Sequence, residues 1–157
     1  MNRSKQVFFK WAGFIVVAVF FGFGSVLAFS LPGFSKNEAV KPINGVVTIP
    51  VGQVEDGKAH FYQFADGGKE IGFFVVKGAD RAFHVAFDTC DVCFQEKKGY
   101  FQEGDFMVCR NCSKKFATNK IGRGAGGGCN PSHLNFAQDA KAITIKTDDL
   151  KLGARFF

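Results

Sequence analysis

Cys90-Asp-Val-Cys93 is followed, after fifteen residues, by Cys109-Arg-Asn-Cys112. This C-x2-C-x15-C-x2-C spacing falls in the range of four-cysteine metal sites. Two residues between cysteines let one tight turn aim both sulfurs at a single ion, with backbone N–H groups pointing at them. Two such turns supply a tetrahedron. Soft thiolates select zinc, mononuclear iron, an iron–sulfur cluster or cuprous copper over magnesium or calcium. Cys90, Cys93, Cys109 and Cys112 are therefore the expected ligands, and the choice among these metals stays open because zinc and iron share four-cysteine geometry. Cys129, in the loop Gly126-Gly-Gly-Cys-Asn-Pro131, and His133 just after it are further candidates. Consecutive glycines permit close backbone approach, so that loop could fold over the site.

Two other thiol chemistries fit parts of the pattern. A lone C-x-x-C pair can be a redox disulfide, but that motif belongs at a helix N-terminus within a βαβ unit, and no βαβ pattern is visible. Structural disulfides in an exported chain would leave one of the five cysteines over. Haem attachment is unsupported, because Phe94 and Ser113 rather than His follow the pairs. Seven basic residues, Lys97, Lys98, Arg110, Lys114, Lys115, Lys120 and Arg123, face only two acids, Glu103 and Asp105, between positions 97 and 123. Four thiolates and a divalent ion sum to −2, a charge that nearby cations would offset. His84, Asp88, Asp91 and Met107 read as surface or packing residues, and His60 as structural. There is no Ser-His-Asp spacing, no P-loop and no dinucleotide fingerprint. A binding or electron-transfer component is expected rather than a hydrolase or transferase.

The elements that position these cysteines read as mainly β (or α+β). Val46 to Val51, Ala59 to Phe64, Ile71 to Lys77 and Asp80 to Asp88 are β-branched, aromatic or alternating. Turn signals at Glu55-Asp-Gly57, Asp66-Gly-Gly68 and Lys77-Gly78 separate them. The pattern predicts a meander forming a small antiparallel sheet, followed by a cysteine-rich, zinc-ribbon or rubredoxin-like metal-site subdomain. A closing strand is expected at Ala142 to Lys146, with a polar turn at Asp148-Asp149. The domain spans 46–157, after a linker at 32–45 that mixes Lys, Asn, Glu and Pro. Of the 21 Phe, eight lie before Lys36 and the rest read as core.

The N-terminal stretch bears on location. Residues 1–10 carry Arg3, Lys5 and Lys10, and residues 11–31 are uncharged and apolar. At 1.5 Å per residue that run is about 30 Å of helix, long enough to cross a bilayer. The positive-inside rule makes it a single-pass signal anchor with a cytoplasmic N-terminus. Val26-Leu27-Ala28 offers a cleavage alternative, but the run exceeds the ~7–15 residues of a signal-peptide core. In either case the remainder is exported across the membrane. Export removes nucleic acid as a partner for the basic surface. A solvated basic face, or docking to an acidic protein or to anionic headgroups, remains.

The series Asp88-Thr-Cys90-Asp-Val-Cys93, Lys97-Lys-Gly-Tyr100, Met107-Val-Cys109-Arg-Asn-Cys112 and Gly127-Gly-Cys129-Asn-Pro131 resembles the FtrD-like membrane iron–sulfur proteins. All five cysteines fall on that family's motif. The resemblance implies a bacterial envelope protein linked to iron handling, an electron-transfer partner of a ferrous-iron permease. Some members carry many membrane helices and this chain has one expected span, so permease activity would belong to another subunit. A structural-zinc module docking a membrane partner, and a thiol–disulfide or metallochaperone protein, are the alternatives.

Overall fold

The computed structural model describes residues 37–122 and 128–157. Among them no helix is long and apolar enough to cross a membrane. The expected span at 11–31 and the cytoplasmic residues 1–10 lie outside the described residues.

The described chain is mainly β. Its strands are β1 (Glu38–Val40), β2 (Val46–Pro50), β3 (His60–Asp66), β4 (Lys69–Lys77), β5 (Phe83–Phe87), β6 (Tyr100–Glu103), β7 (Phe106–Cys109), β8 (Lys115–Ala117), β9 (Ala137–Gln138) and β10 (Ala142–Lys146). One short helix, α1 (Thr147–Lys151), follows. The strands form three sheets, ordered β1-β3-β4-β5, β2-β10-β9 and β6-β7-β8.

The expected hairpin at Asp66-Gly-Gly68 is present. Asp66 pairs with Lys69, leaving Gly67 and Gly68 as a two-residue loop, with φ of 56° and 81°. Positive φ at both loop positions matches the twist of the flanking strands and is why two glycines stand there. β4 then pairs antiparallel with both β3 and β5. As the central strand it is buried on both faces, which accounts for its unbroken apolar run. Alternation along the strand sends Ile71, Phe73 and Val75 into one core with Val47, Ile49, Tyr62, Phe64, Val85, Phe87, Ile143 and Ile145. Phe74 and Val76 enter a second core with Ala86, Tyr100, Met107 and three of the cysteines. One face of the four-stranded sheet therefore packs on the β2-β10-β9 sheet, and the other carries the cysteine-bearing layer.

Three features depart from the sequence expectation. Residues 38–40, inside the expected linker, form β1, which pairs parallel to β3, so the main sheet is not purely antiparallel. The closing strand β10 does form over Ala142–Lys146, but it pairs with β2 in a separate sheet rather than extending a meander. The expected polar turn at Asp148-Asp149 is the first turn of α1. Its start is tied to the β1–β2 turn, where the Thr147 N–H donates to the Gly45 carbonyl at 2.9 Å. Two acids near a helix N-terminus suit its partial positive charge, and the fully buried Leu150 pins it to the core.

Candidate metal centre

The first cysteine pair leaves the end of β5, and the second joins β7 to β8. Each begins as a turn whose amides point at sulfur. The Cys93 N–H donates to Cys90 Sγ at 3.2 Å, and the Val92 amide points at the same sulfur. The amides of Cys112 and Asn111 point at Cys109 Sγ, and that of Lys114 at Cys112 Sγ. Ser113 takes a φ of 57°, and its own N–H returns to the Cys109 carbonyl at 2.9 Å. Such N–H···S bonds favour thiolate over thiol and orient the lone pairs toward a common point.

Long-range pairing brings the two turns and Cys129 together. Tyr100 on β6 lies opposite Cys109 on β7. Residues 132–134 run alongside β5, with the Phe87 N–H donating to the Ser132 carbonyl at 2.8 Å and the Ser132 N–H to the Thr89 carbonyl at 3.0 Å. That short ladder delivers Cys129 to the cysteines that follow β5. Cys93 Sγ and Cys129 Sγ are 3.8 Å apart. The sulfurs fall into two groups that could hold a metal, Cys90/Cys93/Cys129 and Cys93/Cys109/Cys112, each with all members within 4.8 Å of one another. All five cysteines are free thiols. Cys90, Cys109 and Cys129 are buried, Cys93 half-buried and Cys112 exposed.

These surroundings set the thiol acidities. Burial works to raise Cys90, but the facing Tyr100 hydroxyl and the Cys93 and Val92 amides outweigh it and hold the thiol below its ordinary value. Burial likewise acts against Cys112, yet the Lys114 amide and the thiols of Cys129, Cys109 and Cys93 bring it down to about 7. Burial pushes Cys109 up to about 11. Burial, then the neighbouring Cys112 and Cys93, push Cys129 up to about 12.

Tyr100 and Asp88 complete the setting. Tyr100 is fully buried, and its hydroxyl donates to the Cys129 carbonyl at 2.5 Å while facing Cys90 Sγ. Burial, then the sulfur of Cys90, raises the phenol, which therefore stays a hydrogen-bond donor. The Asp88 carboxylate accepts the Tyr100 N–H at 2.6 Å. Gly99 makes room for it: at a φ of +64°, a Cβ there would lie 2.5 Å from the Asp88 oxygens. Asp88 read as a surface or packing residue in the sequence, and Tyr100 was only part of a motif. The one available signal was the Lys97-Lys-Gly-Tyr100 run between the cysteine pairs.

The other candidates are placed as follows. His133 lines a different cavity of about 540 Å³ with His84, Lys120, Ile121 and Asn130, and no histidine belongs to either sulfur group among the described residues. His84 bonds the Ile121 carbonyl and Asp80. His60 bonds Asp56. Met107 is buried in the second core, as packing. Asp91 lies 3.9 Å from Arg155. Of the basic residues, Lys97 and Lys98 line the opening to Cys90, Cys93 and Cys109. Arg110 instead bonds the Tyr100 carbonyl at 3.0 Å and lies over Phe101, and Lys115 pairs with Glu103.

Fold and site together define a small β protein with a thiol-rich, metal-competent centre between a three-stranded ribbon and a larger sheet. Residues 54–157 match the family described as membrane iron-sulfur containing protein FtrD-like, and the chain belongs to that family. No curated protein matches it significantly, and no solved structure does.

Proposed function

We propose that this is a membrane-anchored, exported metalloprotein whose thiolates hold iron, as an ion or an iron–sulfur centre. It would act in electron transfer or iron handling beside an iron-uptake permease or another redox partner. Residues 11–31 are the anchor, residues 1–10 face the cytoplasm and the domain from about Val46 to Phe157 faces the periplasm or cell exterior. Cys90, Cys93, Cys109 and Cys112 hold the metal in this reading, with Cys129 as a fifth thiol beside them.

The observation that carries it is the convergence of five sulfurs from three separate stretches of chain, with Cys90 Sγ already accepting the Cys93 amide. The donor set fits iron, which thiolates bind well. The spacing also fits direct thiolate ligation. With a metal–sulfur bond near 2.3 Å, a tetrahedral site has sulfurs about 3.8 Å apart, and Cys93, Cys109 and Cys112 of the proposed set already lie within 4.8 Å of one another. Bound iron would supply a one-electron couple. The chain's part is to hold the sulfurs, donate hydrogen bonds to them and place Lys97 and Lys98 where they offset thiolate charge. Cys112 is exposed, as is Val92 at the tip of the first turn, so a partner could approach within a short distance of the centre.

Metal analysis, absorption and EPR on the full chain, purified in detergent without oxygen, test this. Stoichiometric iron with a reversible redox change is expected. A colourless protein carrying only zinc would overturn the redox role. The antiparallel ribbon β6-β7-β8, with a cysteine turn at the end of β7, also suits a second reading, a structural-zinc module that docks a membrane partner. That reading predicts unfolding on chelation with no redox signal.

A further inference from the structure

The two sulfur groups share one member. Cys90 and Cys129 form one group with Cys93, Cys109 and Cys112 form the other with it, and Cys93 belongs to both. A single tetrahedral ion uses four ligands and would leave one of these five thiols idle in the middle of the cluster. From this arrangement we infer that the centre takes two thiophilic divalent ions bridged by Cys93 Sγ and free of inorganic sulfide, with all five cysteines as ligands. This rests on the proposal that the thiols bind metal, and deepens it.

Three observations support the two-ion centre. First, three sulfurs around one ion at about 2.3 Å stand roughly 3.8–4.0 Å apart, a spacing that both groups, with every member within 4.8 Å, can reach with small adjustments. Each iron of a [2Fe–2S] cluster takes two cysteines, and sulfide between the irons of larger clusters holds cysteine sulfurs farther apart. A compact group of three cysteines suits neither. Second, the Cys93 N–H donates to Cys90 Sγ at 3.2 Å, so the first turn already orients a sulfur that in this arrangement is a terminal ligand of the inner ion. Third, five thiolates, four of them buried or half-buried, on one divalent ion would carry −3, and a second ion brings the centre to −1, easing the cost of buried charge.

The two ions differ in access. The inner one, held by Cys90, Cys93 and Cys129, is closed in by the second core. The outer one, held by Cys93, Cys109 and Cys112, opens to solvent through Cys112, which is exposed. Exchange of metal, or contact with a partner, takes place at the outer position.

The test is an anaerobic titration of the metal-free full chain in detergent with Co2+, followed by thiolate-to-cobalt absorption and EPR. Absorption should saturate at two equivalents, and the EPR signal that grows with the first should decline as the second enters, through coupling across the shared sulfur. Cys129→Ser and Cys112→Ser should each saturate at one equivalent. Saturation of the wild-type chain at one equivalent would overturn the two-ion centre, as would retention of two by Cys129→Ser or acid-labile sulfide in the iron-loaded protein. The wild-type titration and sulfide assay need no variant to fold. Failure to bind any thiophilic metal would overturn the metalloprotein reading itself.

Discussion

Tyr100→Phe isolates one hydroxyl that ties the ribbon to the Cys129 loop. The ring is fully buried, lies 6.4 Å from Phe74, and is kept by the substitution. What is lost is the 2.5 Å bond to the Cys129 carbonyl and the hydroxyl facing Cys90 Sγ. Stranding a buried acceptor costs about 1–3 kcal/mol. For a domain of this size that is a fall in Tm of roughly 5–10 °C. The loss should be larger with metal bound, because the bond holds Cys129 against Cys93 and a loosened ligand weakens the stabilisation that binding adds. The assay is thermal unfolding by circular dichroism, metal-free and zinc-loaded, with Tyr62→Phe as the control. Tyr62 is also buried but stacks on Phe73 in the other core. If Tyr100→Phe melts within 1 °C of wild type in both states, or no lower than the control, the hydroxyl does not organise the site.

Gly99→Ala should cost more than Tyr100→Phe, since a Cβ 2.5 Å from the Asp88 carboxylate adds steric conflict to a left-handed backbone that alone costs about 1–3 kcal/mol; urea unfolding measures it. Phe73→Ala and Phe74→Ala should each lose about 3–5 kcal/mol, yet only Phe74→Ala, in the cysteine-bearing core, should also weaken cobalt affinity. The metal-free protein should lose stability above pH 9 and continue to lose it toward 11–12. Burial holds Cys109 and Cys129 at about 11 and about 12, above the unfolded thiol value, so both must remain protonated to stay buried; denaturant midpoints against pH test the sign. Cys112 runs the other way: its pKa of about 7 stabilises the fold above the unfolded value, an effect lost as pH falls through 7. In the metal-free chain it should alkylate first, at half its maximal rate near pH 7.

Much of the fold was legible because its signals are local. β10 occupies the predicted Ala142–Lys146, and the Asp66-Gly-Gly68 turn closes the predicted hairpin, since both depend on residues adjacent in sequence. The parallel pairing of β1 with β3 was not legible. Glu38-Ala-Val40 is three residues in a polar stretch, and its strand state comes from an edge presented by residues more than twenty positions away. The helix at Thr147 was hidden for a similar reason. Its Asp pair reads as a turn until Leu150 has a core to enter.

The sequence by itself determined the thiol chemistry, the pairing of cysteines into two turns and the family. Metal-ligand spacing within a turn is set by a handful of neighbouring dihedral angles and needs no distant partner. Only the tertiary structure decided that Cys129 joins the cluster while His133, four residues later, faces another cavity. It also decided that Asp88 and Tyr100 work together and that Cys93 stands between two groups of sulfurs. Those outcomes depend on which face of β4 the ribbon packs against and on residues 132–134 pairing beside β5. Long-range strand pairing of that kind has no signature in the spacing of the residues it brings together.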